Sequence, residues 1–245
     1  MTPDFSVKDR IACVTGASSG LGKAISEALV QGGARVVCLS RRSPDWCDGK
    51  TAAAISADLS DTSVTPDIAA RVAKVFGPPD ILINAAGINI RQHADDVTPE
   101  GWQATLALNL TVPFFLAQAM VPAMRDKGWG RIVNFASLQS QRAFAAGIAY
   151  GASKGGIAQL TRAMAEAWSR HGITANALAP GFFPTELTSP VFSNPELSTR
   201  NAAQTCIGRN GTMADILGPA LFLCAPASDY VTGQVLYVDG GFTAK

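Results

Sequence analysis

The chain has 245 residues, of which 47% are hydrophobic and only 16% charged. That is enough apolar chain for one large α/β domain with a substantial core, and it argues against a disordered polymer. A formal net charge of +1 lacks the basic footprint of a nucleic-acid binder or of a protein drawn to an acidic membrane surface. Five scattered cysteines (Cys13, Cys38, Cys47, Cys206 and Cys224) form no CxxC pair, which points to free thiols in a reducing, cytoplasmic compartment. Neither His93 nor His171 lies near a cysteine, so no zinc-ligand spacing exists and no metal is expected. The first six residues lack the basic start and apolar run of a secretory signal, and no uninterrupted apolar stretch reads as a bilayer span.

In chain order, residues 11–15 read as a compact buried strand and 21–31 as a helix closed by Gly32-Gly33. Strands follow at 35–39 and 52–57. The stretch between them, with Pro44, Trp46 and Gly49, is too short and broken for a crossover helix and reads as a loop or single turn. A helix over 66–76 leads to a strand at 80–84, and a long helical pattern at 98–125 leads to a strand at 131–135. Another helix over 150–170 precedes a strand at 173–178, and a helix over 213–224 precedes the last strand at 234–238. Strands apolar on both faces, alternating with helices, predict a doubly wound parallel sheet of about seven strands with helices on both faces. No linker or repeat interrupts residues 1–245, so one domain is expected. The weakly periodic segment around 186–208, with Pro190 and Pro195, reads as a mobile substrate-covering insert.

Directly after the first strand, Gly16, Ser18, Ser19, Gly20, Leu21 and Gly22 open a helix. Glycines here let backbone amides approach a pyrophosphate, and the helix N-terminus adds partial positive charge. At the end of the second strand stand Ser40-Arg41-Arg42, with no carboxylate before Asp45. Two guanidinium groups beside a hydroxyl suit the 2′-phosphate of NADP, so NADP is favoured and NAD possible; the competing reading is a solvated arginine pair. Tyr150 and Lys154 lie four residues apart on one helix face, where an ammonium would lower the phenol's pKa toward use as a base. Ser137 follows a strand at the carboxyl edge of the sheet, in position to hold a substrate oxygen.

The spacing TGxxxGxG from Thr15 to Gly22, together with YxxxK at Tyr150–Lys154, resembles the short-chain dehydrogenase/reductase family over almost the whole chain. The resemblance implies a Rossmann-type fold and an NAD(P)-dependent oxidoreductase that interconverts a secondary alcohol and a ketone on a small-molecule substrate. It implies an adenine contact at Asp58 and Leu59, and a cofactor contact at Asn84-Ala85-Ala86-Gly87, where Ala85 replaces the second Asn of the family's NNAG. Pro180, Gly181, Phe183 and Thr185 would hold the nicotinamide end, and Tyr150 and Lys154 would reach its ribose. Asn109 would be the fourth catalytic member: Pro113, four residues on, has no N–H, so the Asn109 carbonyl is freed for a water that links Lys154 to solvent. The alternative for Asn109 is a buried side chain capping a neighbouring loop.

Residues 87–91, 137–140 and 181–188 are most similar to sugar-acid dehydrogenases of the gluconate 5-dehydrogenase and 2-deoxy-D-gluconate 3-dehydrogenase type. This implies a carboxylate contact from Arg91 and a hydroxyl contact from Gln139, beside Ser137 and Tyr150. Two alternatives share every cofactor and catalytic residue: a 3-oxoacyl thioester reductase and another carbonyl or polyol reductase. A non-catalytic nucleotide-sensing regulator is a third. Relatives usually assemble as tetramers through two helices, here those at 98–125 and 150–170, so a homotetramer is expected.

Overall fold

Seven strands, β1 (Ile11–Thr15), β2 (Arg35–Ser40), β3 (Ala52–Ser56), β4 (Ile81–Asn84), β5 (Gly130–Phe135), β6 (Ile173–Pro180) and β7 (Val235–Val238), form one parallel sheet in the computed structural model, which describes residues 2–245. Their order is β3-β2-β1-β4-β5-β6-β7. The alternation of side chains along each strand divides the core into two layers. Ala12 and Val14 face α1 (Gly20–Gln31) and α8 (Met213–Cys224), packing with Ile25, Leu29, Ile216 and Leu223. Cys13, Leu82 and Ile132 face the other way, onto Ile68 and Val72 of α2 (Thr65–Phe76), Leu116, Met120 and Met124 of α4 (Val112–Lys127) and Met164 of α5 (Ile148–Trp168). Each fully buried aliphatic side chain contributes on the order of 1.5–3 kcal/mol, so both layers stabilise the fold.

The chain winds outward from β1 to β3, then crosses back to β4 and winds the other way. Helices diverge at that reversal and leave a crevice over the carboxyl ends of β1 and β4, where such sheets bind ligands.

The stretch between β2 and β3 has no helix, as Pro44 and Gly49 predict. It turns around Asp48, whose Oδ1 accepts from the amides of Lys50, Thr51 and Ala52 at 2.8, 2.8 and 3.0 Å. The helical run read at 98–125 is not continuous. It splits into α3 (Pro99–Leu106), a π-turn over Ala107–Thr111, and α4. Pro113 offers no amide to the Asn109 carbonyl, and the ladder widens so that Val112 N–H reaches back to the Ala107 carbonyl. Together these pieces make one 29-residue run, Pro99–Lys127, long and apolar enough by composition to cross a membrane. That corrects the expectation that no such stretch exists, although Leu116, Met120 and Met124 bury its α4 face on the sheet. The segment around 186–208 is folded into a 3-10 turn at Glu186–Thr188, α6 (Ser189–Phe192) and α7 (Pro195–Ala203). Asn194 caps α7, accepting from the amides of Glu196 and Leu197.

Candidate active site

The floor of the crevice is the turn between β1 and α1. Gly16 sits at φ +69°, and a Cβ there would lie 2.9 Å from the backbone of Ala86. A Cβ on Gly22 would lie 2.5 Å from the Gly16 carbonyl oxygen. Only hydrogen fits at either position, so α1 starts hard against the sheet with its first-turn amides facing the crevice. Ser19 caps α1 without a side-chain bond to its amides, and no acidic side chain occupies the first turn. Such a helix end accepts a phosphate without rearrangement. The cleft above it has a volume of about 1410 Å³ and runs from Asp58 to α7, large enough for a dinucleotide and a small substrate together.

Gly16, Ser18, Ser19, Gly20, Leu21, Gly22, Ser40, Arg41, Arg42, Asp58, Leu59, Ala85 and Gly87 all line this cleft, as do Pro180, Gly181, Phe183 and Thr185 on its far side. Local bonds already occupy several of them. The Ser40 hydroxyl donates to the Arg42 carbonyl at 2.6 Å, so it shapes the loop instead of standing free beside a phosphate. Asp58 accepts from the Ser60 amide at 2.9 Å, and that bond, assisted by the charge of Arg41, holds its carboxyl below the usual range. Asn84 stands behind the wall. Its Nδ2 donates to Asn134 Oδ1 at 2.9 Å, and Asn134 donates in turn to Thr161 Oγ1 at 2.9 Å, tying β4 and β5 to α5.

At the carboxyl end of β5, Ser137 turns into the cleft and its Oγ accepts from the Gln139 amide at 3.1 Å. Tyr150 and Lys154 enter from α5, one helical turn apart. Lys154 is buried; its Nζ donates to the Phe135 carbonyl at 2.6 Å and lies 5.5 Å from the Tyr150 ring centre. Loss of hydration draws the Lys154 ammonium down to about 8. Tyr150 behaves differently from the sequence expectation. Its burial pushes the phenol above its ordinary value, while the Ser137 hydroxyl and the Arg91 charge pull the other way. Lys154 does not acidify it here, and desolvation outweighs the pull of Ser137 and Arg91.

Asn109 lies in the π-turn, 1% exposed, and does not line the cleft. Its amide brackets Ile88, accepting from the Ile88 N–H at 2.9 Å and donating to the Ile88 carbonyl at 2.9 Å and to Ser153 Oγ at 3.1 Å. The side chain thus clamps the loop after β4 to α5. That loop carries Arg91, and a backbone bridge between Gln92 and Gly147 fixes it beside the start of α5. Gln139 packs against the same turn: a Cβ on Gly147 would collide with Gln139 Oε1.

Beyond the predicted residues, the cleft is lined by Arg142, Arg200, Asn201, Gln204 and Glu186, and by Phe144, Phe182 and Phe242, whose rings pack 5.8–6.2 Å apart. Arg200 and Asn201 lie on α7 and Gln204 is its C-cap, a spacing of i, i+1 and i+4 and a polar face that periodicity in residues 186–208 could have suggested.

The chain has relatives of known activity and structure. A family model described as enoyl-(acyl carrier protein) reductase matches residues 16–243. The chain is similar to gluconate 5-dehydrogenase of Gluconobacter oxydans, with 37% identity covering 99% of this chain and 98% of that one. It is also similar to galactitol 2-dehydrogenase (L-tagatose-forming) of Cereibacter sphaeroides, with 38% identity over 98% and 97% of the two chains. A crystal structure of a gluconate 5-dehydrogenase from Burkholderia cenocepacia in complex with NADP and tartrate superimposes with a TM-score of 0.93, at 34% identity and 98% coverage of both chains.

Proposed function

Because the chain belongs to the short-chain dehydrogenase/reductase family and is an NAD(P)-dependent oxidoreductase of secondary alcohols and ketones, we propose that it acts on a sugar acid or related polyol, with Tyr150 transferring the proton. The observation that carries this reading is the convergence of Ser137, Tyr150 and Lys154 in one cleft with the glycine turn. When bound, the nicotinamide supplies a hydride acceptor or donor for the substrate carbon. Ser137 Oγ holds the substrate oxygen, and Tyr150 Oη takes the hydroxyl proton in oxidation or returns it in reduction. The buried Lys154 would be the donor for the nicotinamide ribose. Asn109 supports the wall through its grip on Ile88 and Ser153.

The turn residues Gly16, Ser18, Ser19, Gly20, Leu21 and Gly22 would hold the pyrophosphate, and Asp58 and Leu59 the adenine. Arg41 and Arg42, which follow β2, support NADP over NAD, since a guanidinium matches a 2′-phosphate and the chain itself has no carboxylate between Ser40 and Asp45. At the substrate end, Arg91, Arg142 and Arg200 put three cations in the cleft beside Gln139, which supports an anionic, hydroxylated substrate. A 3-oxoacyl thioester needs no such cluster at its reacting end.

Phe114 stacks on Trp168 at 6.4 Å and Phe115 is 39% exposed, an aromatic patch across α4 and α5 that supports the homotetramer reading. Five unpaired thiols support a cytoplasmic setting.

The test is a 340 nm screen of sugar acids, neutral polyols, their keto forms and 3-oxoacyl thioesters, with NAD and NADP side by side. Turnover of sugar acids, weakened by Arg91→Ala through KM more than for neutral polyols, is the expected outcome. Faster turnover of thioesters, or an Arg91→Ala effect equal for acids and neutral polyols, would overturn the substrate assignment.

A further inference from the structure

The end of β2 lacks a carboxylate in sequence, yet the fold brings one there in space. Arg42 Nη2 contacts both oxygens of Glu186 at 2.8 Å, although the two residues stand 144 positions apart. The same nitrogen lies 3.4 Å from Ser19 Oγ in the glycine turn. Among the described residues, neither Nη1 nor Nε of Arg42 has a partner. Glu186 is held in place from its own side: Thr185, its neighbour, packs against the turn so closely that its methyl group would lie 3.3 Å from a Cβ on Gly20. Three elements therefore meet at the mouth of the cleft: the end of β2, the start of α1 and the segment after β6.

We propose that Glu186 is a cofactor-specificity residue: its carboxylate occupies Arg42 and opposes the 2′-phosphate of NADP, tempering the preference that Arg41 and Arg42 create. The inference rests on the reading that these arginines face the adenosine ribose. A 2′-phosphate arriving beside Arg42 meets a like charge on Glu186 and must share the nitrogen that Glu186 holds. A 2′-hydroxyl meets no such penalty, and a carboxylate at this position is a natural acceptor for it. Because both side chains are about two-thirds exposed, at 65% and 64%, the effect is that of one partly screened charge.

The experiment titrates NADPH and NADH into the wild-type protein and Glu186→Gln, at low salt and at about 1 M salt, where charges more than about 3 Å apart are screened. In Glu186→Gln at low salt, the Kd for NADPH should fall about fivefold, the order of one exposed charge interaction. The Kd for NADH should move less than twofold and so report an intact fold. The gap between the proteins should close at high salt. An equal change for both dinucleotides, or weaker NADPH binding in the variant, overturns the role of Glu186. If the wild-type protein binds both dinucleotides but Arg42→Ala loses no NADPH affinity, the underlying reading of the arginines falls instead.

Discussion

Replacing Lys154 with Met should stabilise the protein at neutral pH while removing the residue that serves the reaction. The ammonium is fully buried and its pKa is drawn from 10.5 to about 8, so the folded chain binds this proton less well than the unfolded chain. Between those two values the unfolded state holds more protons, and the free energy of unfolding therefore rises with pH. Below about 8 the whole penalty for burying the charge is present. From the two pKa values it is about 3 kcal/mol at pH 7 and about 1 kcal/mol at pH 10. Methionine fills a similar volume but leaves the Phe135 carbonyl without its donor, which costs about 1 kcal/mol. The net gain is then about 2 kcal/mol at pH 7 and close to zero at pH 10. In a chain of this length, 2 kcal/mol corresponds to a Tm rise of roughly 4–8 °C.

The assay is urea unfolding of both proteins across pH 7–10, read as a difference. Taking the difference matters because the buried thiols of Cys13 and Cys224, pushed up to about 12, also titrate differently in the folded and unfolded states. These thiols destabilise the folded chain as pH climbs past their unfolded value, and they do so equally in both proteins. A variant less stable than wild type at pH 7, or a difference that stays constant with pH, would refute the account of Lys154.

Gly16→Ala should lower stability by about 2–4 kcal/mol, because it combines a left-handed backbone with a Cβ 2.9 Å from Ala86; thermal unfolding with and without NADPH measures it. An unchanged Tm would show that the turn has room to shift. Asp229→Ala should cost about 2 kcal/mol in urea unfolding. It removes the ion-pair partner of Arg131, 1% exposed and 4.2 Å from the Trp129 ring, and leaves its guanidinium with the Gly130 carbonyl at 2.9 Å. The figure lies below that of a fully enclosed pair because Asp229 is itself 65% exposed.

Strands could be read from the chain because most are short apolar runs, those of β1, β4 and β5 buried on both faces, and no helix pattern competes with them. The glycine turn and the Tyr150–Lys154 pair were equally legible, since their chemistry is local: a strand, a turn and a helix within eight residues, or two side chains one helical turn apart. The break in the 98–125 helix was partly visible. Pro113 marks where the ladder must fail, but apolar residues continue across Leu106–Leu110 and hide the change of pitch. What could not be read was set by distant packing. The pKa of Tyr150 depends on how completely the fold encloses it, and Arg42 meets Glu186 only because the segment after β6 folds back onto the start of α1.

The most direct test of the central claim is a paired measurement on Tyr150→Phe. Deleting one oxygen from a side chain 8% exposed leaves the cleft its shape, so the Kd for NADPH should stay within about twofold of wild type. The turnover number should fall on the order of 10²-fold or more, because the phenol that exchanges the proton is gone. A variant that binds cofactor and still turns over at the wild-type rate would contradict the account.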